Sequence, residues 1–229
     1  MILELIDVAL GTDPGAPLPP ISAVARPGRP GIVGVETEQT PVVASLVAGG
    51  RMQPDSGTLT IDGVADDARI RRTVALVDTP GVAEPFPVMT LRRIVREELA
   101  FAGRRSGREA VGTVLEALDL AALADTPVQH VPTTARVRLL VELALLRDGV
   151  EGLVVTSPER HGGHVEDWFR VLLDVAERGI TVLLVTSKAA ARTATTMLPP
   201  PIAEATVDDG PAPSLQSVTP PASSEGDPS

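Results

Sequence analysis

Few residues in this chain have the types and spacing that do chemistry. His161 and His164 stand three apart around Gly162-Gly163, with Glu159, Glu166 and Asp167 beside them. Imidazoles and carboxylates are the donors of a zinc-type site, but polar residues also gather wherever a loop enters a helix. We read the group as a surface loop and not as a ligand set. Lys188 is the single lysine among twenty basic residues, and cysteine is absent. Thiolate chemistry, cysteine metal cages and disulfides are therefore excluded. His130 reads as structural or exposed, and no spacing of Ser, His and Asp suggests a hydrolase.

A second group surrounds Gly34-Val-Glu-Thr-Glu-Gln-Thr-Pro-Val-Val43. Ile32-Val33 reads as a strand and Pro41 to Ala48 as a helix, with Thr40 as N-cap and Pro41 as first helical residue. A strand–loop–helix turn of this shape can bind phosphate, given a glycine-rich loop, a lysine and a Ser/Thr for Mg²⁺. Here the lysine position falls on Thr40 or Pro41. Pro41 has no N–H to donate, and Glu36 and Glu38 put carboxylates at the positive end of the helix. An ordinary strand–helix turn is the alternative. Asp78-Thr79-Pro80-Gly81 has the spacing of an Asp-x-x-Gly phosphate switch, but with no phosphate-loop lysine it carries little.

The surrounding elements alternate. Thr58-Leu-Thr-Ile-Asp has strand period, Thr73-Val-Ala-Leu-Val is a short buried strand, and Gly152-Leu-Val-Val and Ile180-Thr-Val-Leu-Leu-Val are apolar strands. Leu91, Ile94, Val95 and Leu99 fall at helical spacing, as do Val111, Val114, Leu115 and Leu118, then Val137, Leu140, Val141 and Ala144. Val165, Trp168, Phe169, Leu172 and Ala176 form another helix face, closed by Gly179. Arg136 and Arg138 read as a solvated helix face. With three Phe, one Trp and no Tyr, the core must rest on aliphatic side chains.

After Arg192 the composition turns to Pro, Ser and acids. We expect a folded domain over 1–192 and a disordered acidic tail over 193–229. The tail's Glu204, Asp208, Asp209, Glu225 and Asp227 carry half of the net charge of −10. A negative chain argues against nucleic acid and anionic membranes as nonspecific partners. No apolar run approaches the roughly 20 residues of a membrane span, and the first residues lack a signal-peptide pattern.

The order of these segments resembles the ATP-binding cassette of ABC transporters over nearly all of 1–190. Leu46 to Gly63, with Gln-Pro-Asp-Ser-Gly at 53–57, resembles the segment after the cassette's phosphate loop, and Pro85-Phe-Pro-Val-Met-Thr-Leu-Arg92 its lead into a helical subdomain. The resemblance implies an α/β P-loop-NTPase-like core, mostly parallel, with a small antiparallel part and a reduced helical subdomain. It also implies which residues occupy the reactive stations. Besides Gly34, Glu36, Glu38, Thr40 and Pro41 at the phosphate loop, Thr79 takes the place of the Mg²⁺-sensing Gln. Val131-Pro-Thr-Thr-Ala135 replaces the signature, Thr156 and Ser157 replace the metal-holding Asp and the water-polarising Glu, and Ser187 replaces the switch His.

On that resemblance ATP and Mg²⁺ binding is expected lost, no catalytic or metal residue is assigned, and the chain reads as a structural or regulatory subunit. Its partners would be an ABC-type membrane permease, docked in a groove near Thr79 to Phe101, and possibly an active cassette subunit. It would sit at the cytoplasmic face of the membrane without inserting. A divergent cassette that still binds ATP, and a soluble module unrelated to transport, are the alternatives. The former is weakened because the first eighty-five residues hold no aromatic to stack on a base.

Overall fold

A computed structural model describes residues 1–36 and 39–200. Parallel strands β3 (Gly31–Val35), β5 (Val74–Val77), β6 (Gly152–Thr156) and β7 (Thr181–Ser187) lie in the order β3-β7-β6-β5. A separate antiparallel sheet holds β1 (Leu3–Leu10), β2 (Leu18–Ala25) and β4 (Ser56–Ile61) in the order β2-β1-β4. The helices are α1 (Thr40–Ala48), α2 (Asp67–Thr73), α3 (Leu91–Phe101), α4 (Arg108–Ala117), α5 (Thr133–Ala144), α6 (Val165–Glu177) and α7 (Lys188–Thr196).

The parallel strands are apolar throughout because both faces of their sheet are covered. Leu153, Val155, Val182 and Leu184 point into one core with α3, α5 and α6. Their neighbours Val154, Leu183 and Val185 point into a second core with α1 and the antiparallel sheet. Registers such as Val33 opposite Val185 and Val154 opposite Leu183 hold the strand ends level. Three loops that could carry chemistry therefore leave the sheet side by side, at the C-terminal ends of β3, β6 and β7.

Local chemistry fixes the helices. Thr90 caps α3 by accepting the Arg93 N–H, and Leu91, Ile94, Val95 and Leu99 are its buried stripe. Gly179 follows α6 at φ 92°, a left-handed turn that glycine adopts without strain. Ser187 caps α7 through the Ala190 N–H.

Three expectations shift. The N-cap of α1 is Gln39, which makes no side-chain cap, so buried Thr40 is the first helical residue and Pro41 the second. Helix α7 runs to Thr196 with Ala194 fully buried, so the folded unit passes residue 192 and extends to Pro199. Arg136 is 2% exposed and not solvated, whereas Arg138 is exposed as expected. Glu38 and tail residues 201–229 lie outside the described residues.

Candidate functional site

At the end of β3, Gly34 lets α7 approach, since a Cβ there would lie 3.1 Å from the Ala191 Cβ. Glu36 is exposed, and its carboxylate lies 3.7 Å from Nζ of Lys188 on α7. The chain's one lysine thus faces this loop from another helix and meets an acid there. Both groups are more than half exposed, so the pair is weak.

Behind the loop, Ser45 of α1 and Thr79 each share a 2.8 Å hydrogen bond with the hydroxyl of Thr156, at the end of β6. All three residues are fully buried. The hydroxyls satisfy one another, which burial requires of polar groups. Ser157 follows with φ 44° and leads into Pro158. The next acid, Glu159, accepts the Thr186 hydroxyl at 2.6 Å and the Ser187 N–H at 2.7 Å. That carboxylate ties the end of β6 to the end of β7.

Beside the hydroxyls lies a buried ion network. Asp78, 3% exposed and held at φ 56°, receives two hydrogen bonds from Arg136: Nε to Oδ2 at 2.9 Å and Nη2 to Oδ1 at 2.6 Å. Arg160 lies 3.1 Å from the same carboxylate and donates to the Asp78 carbonyl at 2.7 Å. It also pairs with Glu84 at 2.9 Å. Nε2 of His161 lies 3.1 Å from Asp78 Oδ2, close to the carboxylate but poorly aligned for a hydrogen bond. Burial alone would raise the Asp78 pKa. The His161 imidazole and the Arg136 and Arg160 guanidiniums outweigh it and hold the carboxyl down to about 2.

Donor atoms of Asp78, Glu84 and His161 lie within 4.8 Å of one another, close enough to share a cation. Both carboxylates already face guanidiniums, so a metal ion would meet two positive charges at short range. His164 is exposed at the start of α6 and stands outside this cluster. The loop reading survives for His164, while His161 belongs to the buried network.

Next to the network opens a groove of about 590 Å³. Leu76, Val77, Leu140 and Leu143 contribute to its apolar lining, while Glu98 and Arg147 pair on its wall at 2.8 Å. Phe86 and Phe101 also line it and are 76% and 77% exposed, and Val88, close to Phe86 in the chain, is 74% exposed. Phe86 and Phe101 thus put large apolar side chains into solvent at one groove.

No family model matches the chain, and no curated protein does. Solved structures do match. A bacterial ABC transporter cassette, described as a dimer, superposes with a TM-score of 0.59 at 20% identity, covering 83% of this chain and 90% of that one. The chain has the fold of an ABC ATP-binding cassette. A Pyrococcus furiosus protein assigned as an ABC transporter ATP-binding protein gives 0.57 at 14% identity, covering 82% and 92%. The ATP-binding subunit of an ABC transporter gives 0.52 at 16%, covering 83% and 81%.

The cassette fold brings Glu36, Thr40, Thr79, Thr156, Ser157 and Ser187 to one end of the parallel sheet. Thr156 offers a neutral hydroxyl already engaged by Ser45 and Thr79, and no carboxylate for a metal. Ser157 cannot act as a base near neutral pH, and Glu159 already accepts two hydrogen bonds. Pro41 lacks a donor, and Glu36 sets an acid beside the loop.

Sequence reasoning missed Ser45, the role of Glu159 in tying β6 to β7, and the partners of Asp78. One signal was available: Arg136 precedes Leu140 and Leu143 by four and seven, which places it on the buried stripe of α5.

Proposed function

We propose that this chain is an ATP-binding-subunit-like protein without ATPase activity, serving as a structural or regulatory subunit of an ABC-type membrane transport complex at the cytoplasmic face. The observation that carries the proposal is the exposed apolar groove at Phe86 and Phe101, beside a nucleotide end whose hydroxyls are closed on one another. The fold supports the assignment, and cassettes receive a short helix of their membrane partner in a groove at this position. An amphipathic helix laid into an apolar groove needs exposed aromatic anchors of this kind. No described helix is long and apolar enough to cross a membrane, so attachment to the bilayer would run through the partner.

With a photo-crosslinker at Val88 in the full chain, irradiated membranes should yield one adduct, to a polytopic membrane protein. Phe101→Asp should reduce that adduct at least about tenfold, since a desolvated anchor contributes about 2 kcal/mol or more. Phe101 is exposed, so folding should be unaffected. Adducts to cytosolic proteins alone would overturn the assignment.

A further inference from the structure

The groove is flanked by a basic loop that the net charge of the chain conceals. Helix α3 ends at Phe101, and the chain turns at once through Gly103 at φ 67°, with the Arg104 N–H donating to the Leu99 carbonyl at 2.8 Å. Arg104, Arg105 and Arg108 follow, all exposed. Among the described residues, Arg104 and Arg105 form no ion pair, while Arg108 feels the charge of Asp125, whose own partner is Arg92. The nearby acids are mostly committed: Glu97 pairs with Arg93 and Glu98 with Arg147, and only Glu109 is left beside the loop. Phe101 stands directly before these arginines, and Phe86 lines the same groove.

From this arrangement we infer that the Arg104–Arg108 loop forms a contact surface for anionic lipid headgroups. Exposed arginines without acidic partners attract an anionic leaflet. A compact basic cluster on one turn suits such a surface. A long polyanion such as nucleic acid would need a longer basic track, and the rest of this chain is acidic. The contact is peripheral, because three arginines on one loop hold a surface and insert no segment. It draws on the proposed function for the direction the groove faces, but it requires no protein partner.

Protein-free vesicles therefore separate the two ideas. The full chain should co-sediment with vesicles of phosphatidylcholine containing about one third phosphatidylglycerol at low salt, and not with phosphatidylcholine alone. Arg104→Ser with Arg105→Ser and Arg108→Ser should weaken that partition about 10²-fold, at about fivefold per arginine. Raising the salt should abolish the wild-type signal. The adduct at Val88 in native membranes would still form in the triple variant if only the lipid contact fails. Equal sedimentation of wild type and triple variant, or none of the wild type, would refute the inference. So would binding to a single-stranded oligonucleotide without binding to vesicles.

Discussion

Arg136→Ala should cost about 3–5 kcal/mol of unfolding free energy, the range for removing one partner of a buried ion pair. Arg136 supplies two of the hydrogen bonds to Asp78, at 2.9 and 2.6 Å, and both residues are almost fully buried. After truncation the carboxylate keeps Arg160 at 3.1 Å, which itself must also serve Glu84. Domains of this size have about 5–15 kcal/mol to lose, so the variant should unfold at far lower urea. Replacing both members, Asp78→Leu with Arg136→Met, should cost less than the two single changes together, because no buried carboxylate is then stranded.

Acid should have a related effect. The folded Asp78 carboxyl is depressed from 3.8 to about 2, so its contribution to stability is complete above its unfolded pKa and fades as pH falls through the folded one. Between about pH 4 and 2 the wild type should lose about 2 kcal/mol from this group. Arg136→Ala should show a shallower loss over the same window in urea titrations.

Trp168→Ala is the second large effect, about 3–5 kcal/mol. Trp168 is fully buried in the core shared with β6 and β7, and meets Phe169 edge to face at 6.3 Å and 88°. A chain with four large rings has few side chains able to refill such a volume. The indole N–H meets no acceptor among the described residues, so Trp168→Phe removes some packing and breaks no hydrogen bond found there. It should therefore cost far less than the alanine change, by about 2 kcal/mol or more. The only tryptophan is lost in both variants, so unfolding must be followed by circular dichroism.

The periodic segments made the fold legible. Trp168, Phe169 and Leu172 announced a helix face, and the apolar run at 180–185 announced a buried parallel strand. Strand order was not legible, because it depends on which distant segments pair and not on any local pattern. The positions to which the resemblance assigns chemistry were legible only as substitutions. Nothing in Thr79 or Thr156 taken alone says that their hydroxyls meet, because seventy-seven residues separate them. Arg136 was misread because charge outweighed its register on the stripe of Leu140 and Leu143. His161 was misread because its partner, Asp78, lies at the end of a distant strand. Such pairs form across the fold, and their energy depends on burial that composition does not reveal.

The proposed loss of nucleotide binding is tested most directly by calorimetric titration of the full chain with Mg-ATP. No saturable heat should appear up to millimolar nucleotide, and the melting temperature should not move. A micromolar Kd accompanied by a rise in melting temperature would contradict it.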